Sequence, residues 1–310
     1  MQAPILASYF ENLESVPTLG GLVWYSIYEG IDYDLITKLM EVYEFDVKIP
    51  YPKAEDVFAR VTDGRSGQEG IDLGAGLTGN YMVRRAKGVQ RPLARVVREV
   101  VDSDGVKVEW EYSPTLEIEL IPTDETEGEP VLEVHGSDDA DDHCLYVAGK
   151  IQRAFQAKRD QLRPSWLRDW ARNRLVGELQ AVPMGGKGVY FVPTQHLDEV
   201  GRIAAVIRGV GNGSVCDVVP LVDNRVQRQL VTTSIEVEVG QKLKELSATL
   251  SSKLRTGGIV AAREHRTFLR QWTQHSSIVK EYQQLLGGEL TDLQDLLGIA
   301  FQQIDNLELV

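Results

Sequence analysis

Apolar positions recur with a period near two through much of the first half of the chain and near 3.6 through most of the second, which separates a strand-rich part from a helix-rich part. Leu22 to Tyr28 (LVWYSIY), aromatic and β-branched after the turn signal Gly20-Gly21, predicts a buried strand. Asp32 stands where it can cap a helix that carries Leu35, Ile36, Leu39, Met40 and Tyr43 at helical spacing. Pro50 and Pro52 interrupt the chain before a second short helix over 54–61, and residues 63–79, with six glycines, predict a loop. Between Tyr81 and Val134 the segments YMVRRAKGV, LARVVREVV, VKVEWEY, LEIELI and VLEV predict an antiparallel meander, with Asp104-Gly105 as the hairpin turn between the second and third.

Beyond the meander the period lengthens. Helices are predicted over 145–162 and 165–179, the second behind Pro164 at the first helical position. GVYFVP at 188–193, a helix over 197–210 and a strand over 214–221 predict a small α/β layer on which helices could pack. Two long helices, 225–254 and 260–286, meet at Gly257-Gly258 as a helical hairpin, and a last helix spans 290–304. The expected fold class is α+β: an antiparallel-sheet-rich domain over 1–138, a mixed α/β segment with basic helices over 139–222, and a coiled-coil-like hairpin over 223–310. Leu243, Leu246, Leu250 and Leu254 continue from Val239 as an apolar seam, and Phe268, Trp272, Val279 and Tyr282 offer a complementary one. Such a seam closes within the chain or between copies of it, and a homo-oligomer is the expectation.

Composition narrows the function classes. With 310 residues, 43% hydrophobic and 25% charged, the chain is long and apolar enough for a folded protein with a sizeable core. A net charge of -13 argues against a protein that coats phosphates with its whole surface, yet leaves room for a local basic face. Residues 150–174 supply one: Lys150, Arg153, Lys158, Arg159, Arg163, Arg168, Arg172 and Arg174 stand against only Asp160 and Asp169, interleaved with Phe155, Trp166 and Trp170. Arginine beside aromatics can hold phosphates and stack on bases, so these eight cations form a candidate nucleic-acid-binding set. The competing reading makes the tryptophans a core stripe and turns the arginines toward acidic partners. A second basic stretch, Arg84, Arg85, Lys87, Arg91, Arg95 and Arg98, adds to the nucleic-acid option, while 123–142 holds nine acidic residues and no Lys or Arg.

Chemical motifs are fragmentary. Gly74 to Gly79 spells a dinucleotide fingerprint without the strand before it or the helix after it, and Gly185 to Gly188 lacks the spacing and the Ser or Thr of a phosphate loop. Asp138, Asp139, Asp141, Asp142 and His143 could ligate a divalent cation but match no calcium loop. The five histidines form no HExxH pair, and Asp104 with Lys107 only loosely suggests a nuclease core. No catalytic residue, metal site or cofactor is therefore expected. Two cysteines, Cys144 and Cys216, no signal-like stretch in Met1 to Phe10 and no run of about 18 apolar residues predict a reduced, cytoplasmic chain without a membrane span.

LVWYS at 22–26, PYPKAEDVFARV at 50–61 and GVYFVP at 188–193 together resemble an uncharacterised family found in bacteriophages and mobile elements, over most of 22–254. The resemblance implies a phage or bacterial setting and assigns no active site. The expected function is a non-enzymatic, self-associating interaction protein with a macromolecular partner, such as a phage accessory or anti-defence factor. The alternatives are a nucleic-acid-binding module that uses the basic helices, and an enzyme dependent on a metal or nucleotide.

Overall fold

The computed structural model describes residues 17–63, 67–121, 129–136, 141–185, 188–288 and 290–309. In chain order the elements are β1 (Thr18–Ser26), β2 (Ile31–Asp32), α1 (Tyr33–Val42), α2 (Ala54–Val61), β3 (Gln68–Gly74), β4 (Leu77–Arg85), β5 (Leu93–Val101), β6 (Lys107–Ile121) and β7 (Val131–Gly136). There follow α3 (Asp142–Lys158), β8 (Gln161–Leu162), α4 (Pro164–Arg172), β9 (Val182–Pro183), β10 (Val189–Pro193), α5 (Leu197–Gly209), β11 (Val215–Val222), α6 (Arg225–Arg255), β12 (Ile259–Val260), α7 (Ala262–Leu286), α8 (Thr291–Asp305) and β13 (Glu308–Leu309). The fold class is α+β. Contacts divide the chain into two discontinuous units, a meander unit of Gly30–Lys38 and Asp46–Arg163 and a helical unit of Met1–Glu29, Leu39–Phe45 and Pro164–Val310.

In the meander unit, β3 to β7 form one antiparallel sheet in sequence order. Strand alternation sends Tyr81 and Val83 of β4 to one face and leaves Asn80, Met82 and Arg84 on the other. Helices α2 and α3 cover the first face, where Val57, Phe58, Ile151 and Phe155 pack against Tyr81, Val96 and Ile118. Each such buried side chain contributes roughly 1.5–3 kcal/mol. VKVEWEY and LEIELI are two stretches of the single strand β6, whose register against β5 shifts between Arg95 and Val97. The glycine-rich loop expected over 63–79 contains a strand instead: β3 pairs with β4, and Gly74, Ala75 and Gly76 at positive φ turn one into the other. Pairing with a neighbour stabilises β3 where its own composition would not.

In the helical unit the sheet order is β11-β1-β10-β9, with β1 antiparallel to both neighbours. Strands β10 and β11 thus run parallel with β1 between them, and α5 is their crossover. Gly20 is required at the close approach of β1 to β10, because a Cβ there would lie 2.0 Å from the Val192 carbonyl oxygen. Leu19, Phe191 and Leu221 pack with Val231, Ile235 and Tyr282 of the long helices. The apolar seam closes within the chain: Leu243 joins that core, while Leu246 and Leu250 pack with Phe268, Ala300 and Ile304, and Leu254 flanks them. The partner of α6 is therefore the pair α7 and α8, and Trp272 ties those two by donating its indole N–H to the Leu297 carbonyl at 2.9 Å. No helix among the described residues is long and apolar enough to cross a membrane.

Candidate functional site

The eight cations of 150–174 are divided between the two units, five in the meander unit and three in the helical unit. Most are engaged at home. Lys150 donates to the Gly67 carbonyl, Arg159 pairs with Glu129 and Asp160, and Arg163 lies 3.0 Å from Asp56. Arg168 donates to the Ile27 carbonyl and Arg174 pairs with Glu178. Lys158 also has a partner, whereas Arg153 and Arg172 are exposed. Trp170 is buried edge-on against Phe45 at 5.0 Å, so its ring is committed to packing, and Trp166 is half-buried.

The second basic stretch folds into one object. Arg84 and Arg85 end β4, Lys87 sits in the turn where Gly88 takes a positive φ, Arg91 leaves the turn, and Arg95 lies on β5. The ladder sets Arg84 directly opposite Arg95, and residues 84–95 hold five cations and no acidic residue. Glu117 of β6 neutralises Arg95 at 2.7 Å, and Glu119 lies 3.3 Å from Arg91. Among the described residues the guanidinium of Arg84 donates to the Met82 sulfur, at 3.1 Å. Among the described residues no ion pair joins Arg84, Arg85 or Lys87 to a carboxylate. Like charges directly opposite on a sheet are destabilising, and Glu117 relieves this for Arg95.

The same outward face carries an aromatic residue that the sequence reading passed over. The register places Asn80, Glu99 and Trp110 directly across from one another, and Arg84, Arg95 and Glu117 likewise. Both rows lie on one face, because positions 80 and 84 of β4, and 95 and 99 of β5, share parity. Trp110 is 45% exposed; Lys107 stacks over its ring at 3.0 Å and pairs with Glu99 at 2.9 Å. Alternation in VKVEWEY groups Trp110 with Val106 and Val108 against Lys107 and Glu109, a pattern that predicts a buried tryptophan, and nothing local linked it to arginines ten and more residues earlier.

The other candidates have structural roles. Gly74 to Gly79 is a hairpin turn and the start of β4, with the Gly74 N–H donating to the Asp72 carboxylate, so no helix N-terminus follows it to receive a pyrophosphate. Asp104 lies in the β5–β6 turn, and Lys107 is engaged by Glu99 and Trp110. Asp141 caps α3 by accepting the His143 N–H, and its other oxygen accepts the Tyr81 hydroxyl at 2.7 Å, with Arg98 3.9 Å away. Burial and the Asp141 carboxylate push the Tyr81 phenol up to about 12. Asp138, Asp139, Gly186 and Lys187 lie outside the described residues. No group of three or more His, Cys, Asp or Glu suited to a metal comes together among the described residues. His275 borders a cleft of about 430 Å3 between α6 and α7 with Lys242, Glu245 and Gln271, and burial, then the charge of Lys242, lowers its pKa. Cys144 and Cys216 are both buried and free.

Fold and site together describe an α+β protein in two units, one of which carries on one sheet face a basic β4–β5 hairpin and an exposed tryptophan of β6. The chain belongs to a family of unknown function, DUF6744, whose model matches residues 18–309. No curated protein and no solved structure matches it.

Proposed function

We propose that this chain is a binding protein whose macromolecular partner is a nucleic acid, engaged through the β4–β5 hairpin. The observation that carries this reading is the cross-strand pair Arg84 and Arg95, with Arg85 and Lys87 beside it and no carboxylate paired to Arg84, Arg85 or Lys87 among the described residues, in a chain of net charge -13. Glu117 already neutralises Arg95, so the charge left for a phosphate chain is that of Arg84, Arg85 and Lys87, and pairing with it gains entropy from released counterions. The cations of 150–174 support the reading less, since most already have partners within their own unit. A bacterial or phage cytoplasm, where nucleic acid is abundant, is the setting that accompanies this proposal.

The test is fluorescence anisotropy of labelled oligonucleotides at about 50 and 200 mM salt. The expected result is binding that weakens steeply between the two, and its loss in the R84E/R85E/K87E variant with the far-ultraviolet circular dichroism unchanged. Equal binding by that variant, or none by the parent chain at low salt, refutes the reading.

A second reading, a protein partner, is favoured by one specific observation. Val226, Leu230 and Val237 lie on the face of α6 turned away from Val231 and Ile235, and are 78%, 50% and 61% exposed. Stripes of exposed apolar residues mark interaction sites. Self-association through this stripe predicts a light-scattering mass of two chains that falls to one in L230D; a single-chain mass for the parent protein overturns it.

A further inference from the structure

Resting on the nucleic-acid reading, we infer that the outward face of the β3–β7 sheet binds single-stranded nucleic acid, with Trp110 as the stacking platform for an unpaired base and Arg84 as the phosphate contact. Three observations combine. Trp110 keeps 45% of its surface open while Lys107, itself paired with Glu99, covers its ring. A half-exposed indole held from one side is a preformed plane for a base, and a cation against the ring adds to that rigidity. The ladder places the Trp110 row and the Arg84 row on the same face, four residues apart along β4 and β5. That separation is about 13 Å at the rise of an antiparallel strand, enough for a short run of nucleotides whose bases start on Trp110 and whose phosphates reach the hairpin cations.

The chemistry selects against duplex. In a duplex the bases are stacked on one another and their faces are closed to an indole, whereas a single strand offers them. Glu117 and Glu119, on the same outward face, neutralise Arg95 and Arg91 and leave Arg84, Arg85 and Lys87 as the hairpin cations that no carboxylate pairs among the described residues. The strand is thereby directed from Trp110 on β6 toward β4 and the β4–β5 turn.

The experiment compares a labelled oligo-dT of about 12 nucleotides, within the usual site size of a single-strand binder, with the corresponding dA·dT duplex at the same low salt. The parent protein is expected to bind the single strand at least tenfold more tightly than the duplex. W110A is expected to lose about tenfold or more on the single strand and little on the duplex, and W110F to retain most of the affinity. Titration with oligo-dT is also expected to quench a component of tryptophan emission that is absent from W110F. Binding of neither ligand overturns the nucleic-acid reading itself. Duplex binding equal to or tighter than single-strand binding, or a W110A variant as tight as the parent, overturns the single-strand inference while leaving the hairpin reading in place.

Discussion

Asp141 links three parts of the meander unit at one carboxylate: it accepts the His143 N–H at the start of α3, accepts the Tyr81 hydroxyl from β4, and faces Arg98 of β5. Burial raises its pKa, but the hydrogen bonds from Tyr81 and His143 and the nearby charges outweigh that and hold it below the ordinary carboxylate value. A carboxylate depressed in the folded state adds stability above its unfolded pKa of about 3.9, and that contribution is lost as pH falls through the folded value. Asp141→Ala is accordingly expected to cost about 1 kcal/mol or more at neutral pH through loss of the cap. Urea melts of both proteins at descending pH should show the gap closing in acid; a constant gap would assign the loss to packing alone. Cys216 presents the opposite case, since burial above all pushes its thiol up to about 12. It is expected to resist a thiol reagent in the native protein and to react on unfolding, which a timed labelling experiment with and without denaturant would read.

At the scale of elements, the seam of α6 belongs to the chain's own core. Leu250 is fully buried, so Leu250→Ala is expected to destabilise by about 2–5 kcal/mol in denaturant melts. L246D is expected to unfold the helical unit, because it buries an unpaired carboxylate; a folded protein of smaller mass would instead mean that the seam joins two chains. Helix α6 and its stop at Gly257-Gly258 were legible because apolar spacing and left-handed glycines are local properties. The same holds for the tight turn at Gly105 and for the N-cap aspartate Asp32, which accepts the Leu35 N–H at 2.8 Å. Strand β3 was not legible. Its sequence, QEGIDLG, is polar and glycine-bearing, and the hydrogen bonds that make it a strand are supplied by β4.

At the scale of the whole molecule, the charge map decides how function is to be tested. If Arg84, Arg85 and Lys87 each hold a phosphate, the slope of log affinity against log salt on a single strand is expected to fall by about 0.7 for each cation removed singly. A slope that does not change in R84E, R85E or K87E would place the contacts elsewhere, and the next cations to replace would be the exposed Arg153 and Arg172. Neither the cross-strand pair of arginines nor the placement of Trp110 on the same face is visible in composition. Both follow from register, a relation between strands.

The order of residues by itself determined the class of fold, the meander, the long helices and the apolar seam, because periodicity, capping and turn chemistry act over distances of a few residues. It also singled out both basic stretches. Tertiary structure alone decided how each is engaged: Lys150, Arg159 and Arg163 find a carbonyl and carboxylates from Gly67, Glu129 and Asp56, far away in sequence, whereas Arg84, Arg85 and Lys87 stand at a hairpin end with no carboxylate paired to them among the described residues. It likewise decided that β1 pairs with strands roughly 170 to 200 residues downstream, and that the α6 seam faces α7 and α8. Pairing and burial depend on which distant surfaces meet, and no local pattern of amino acids encodes that meeting.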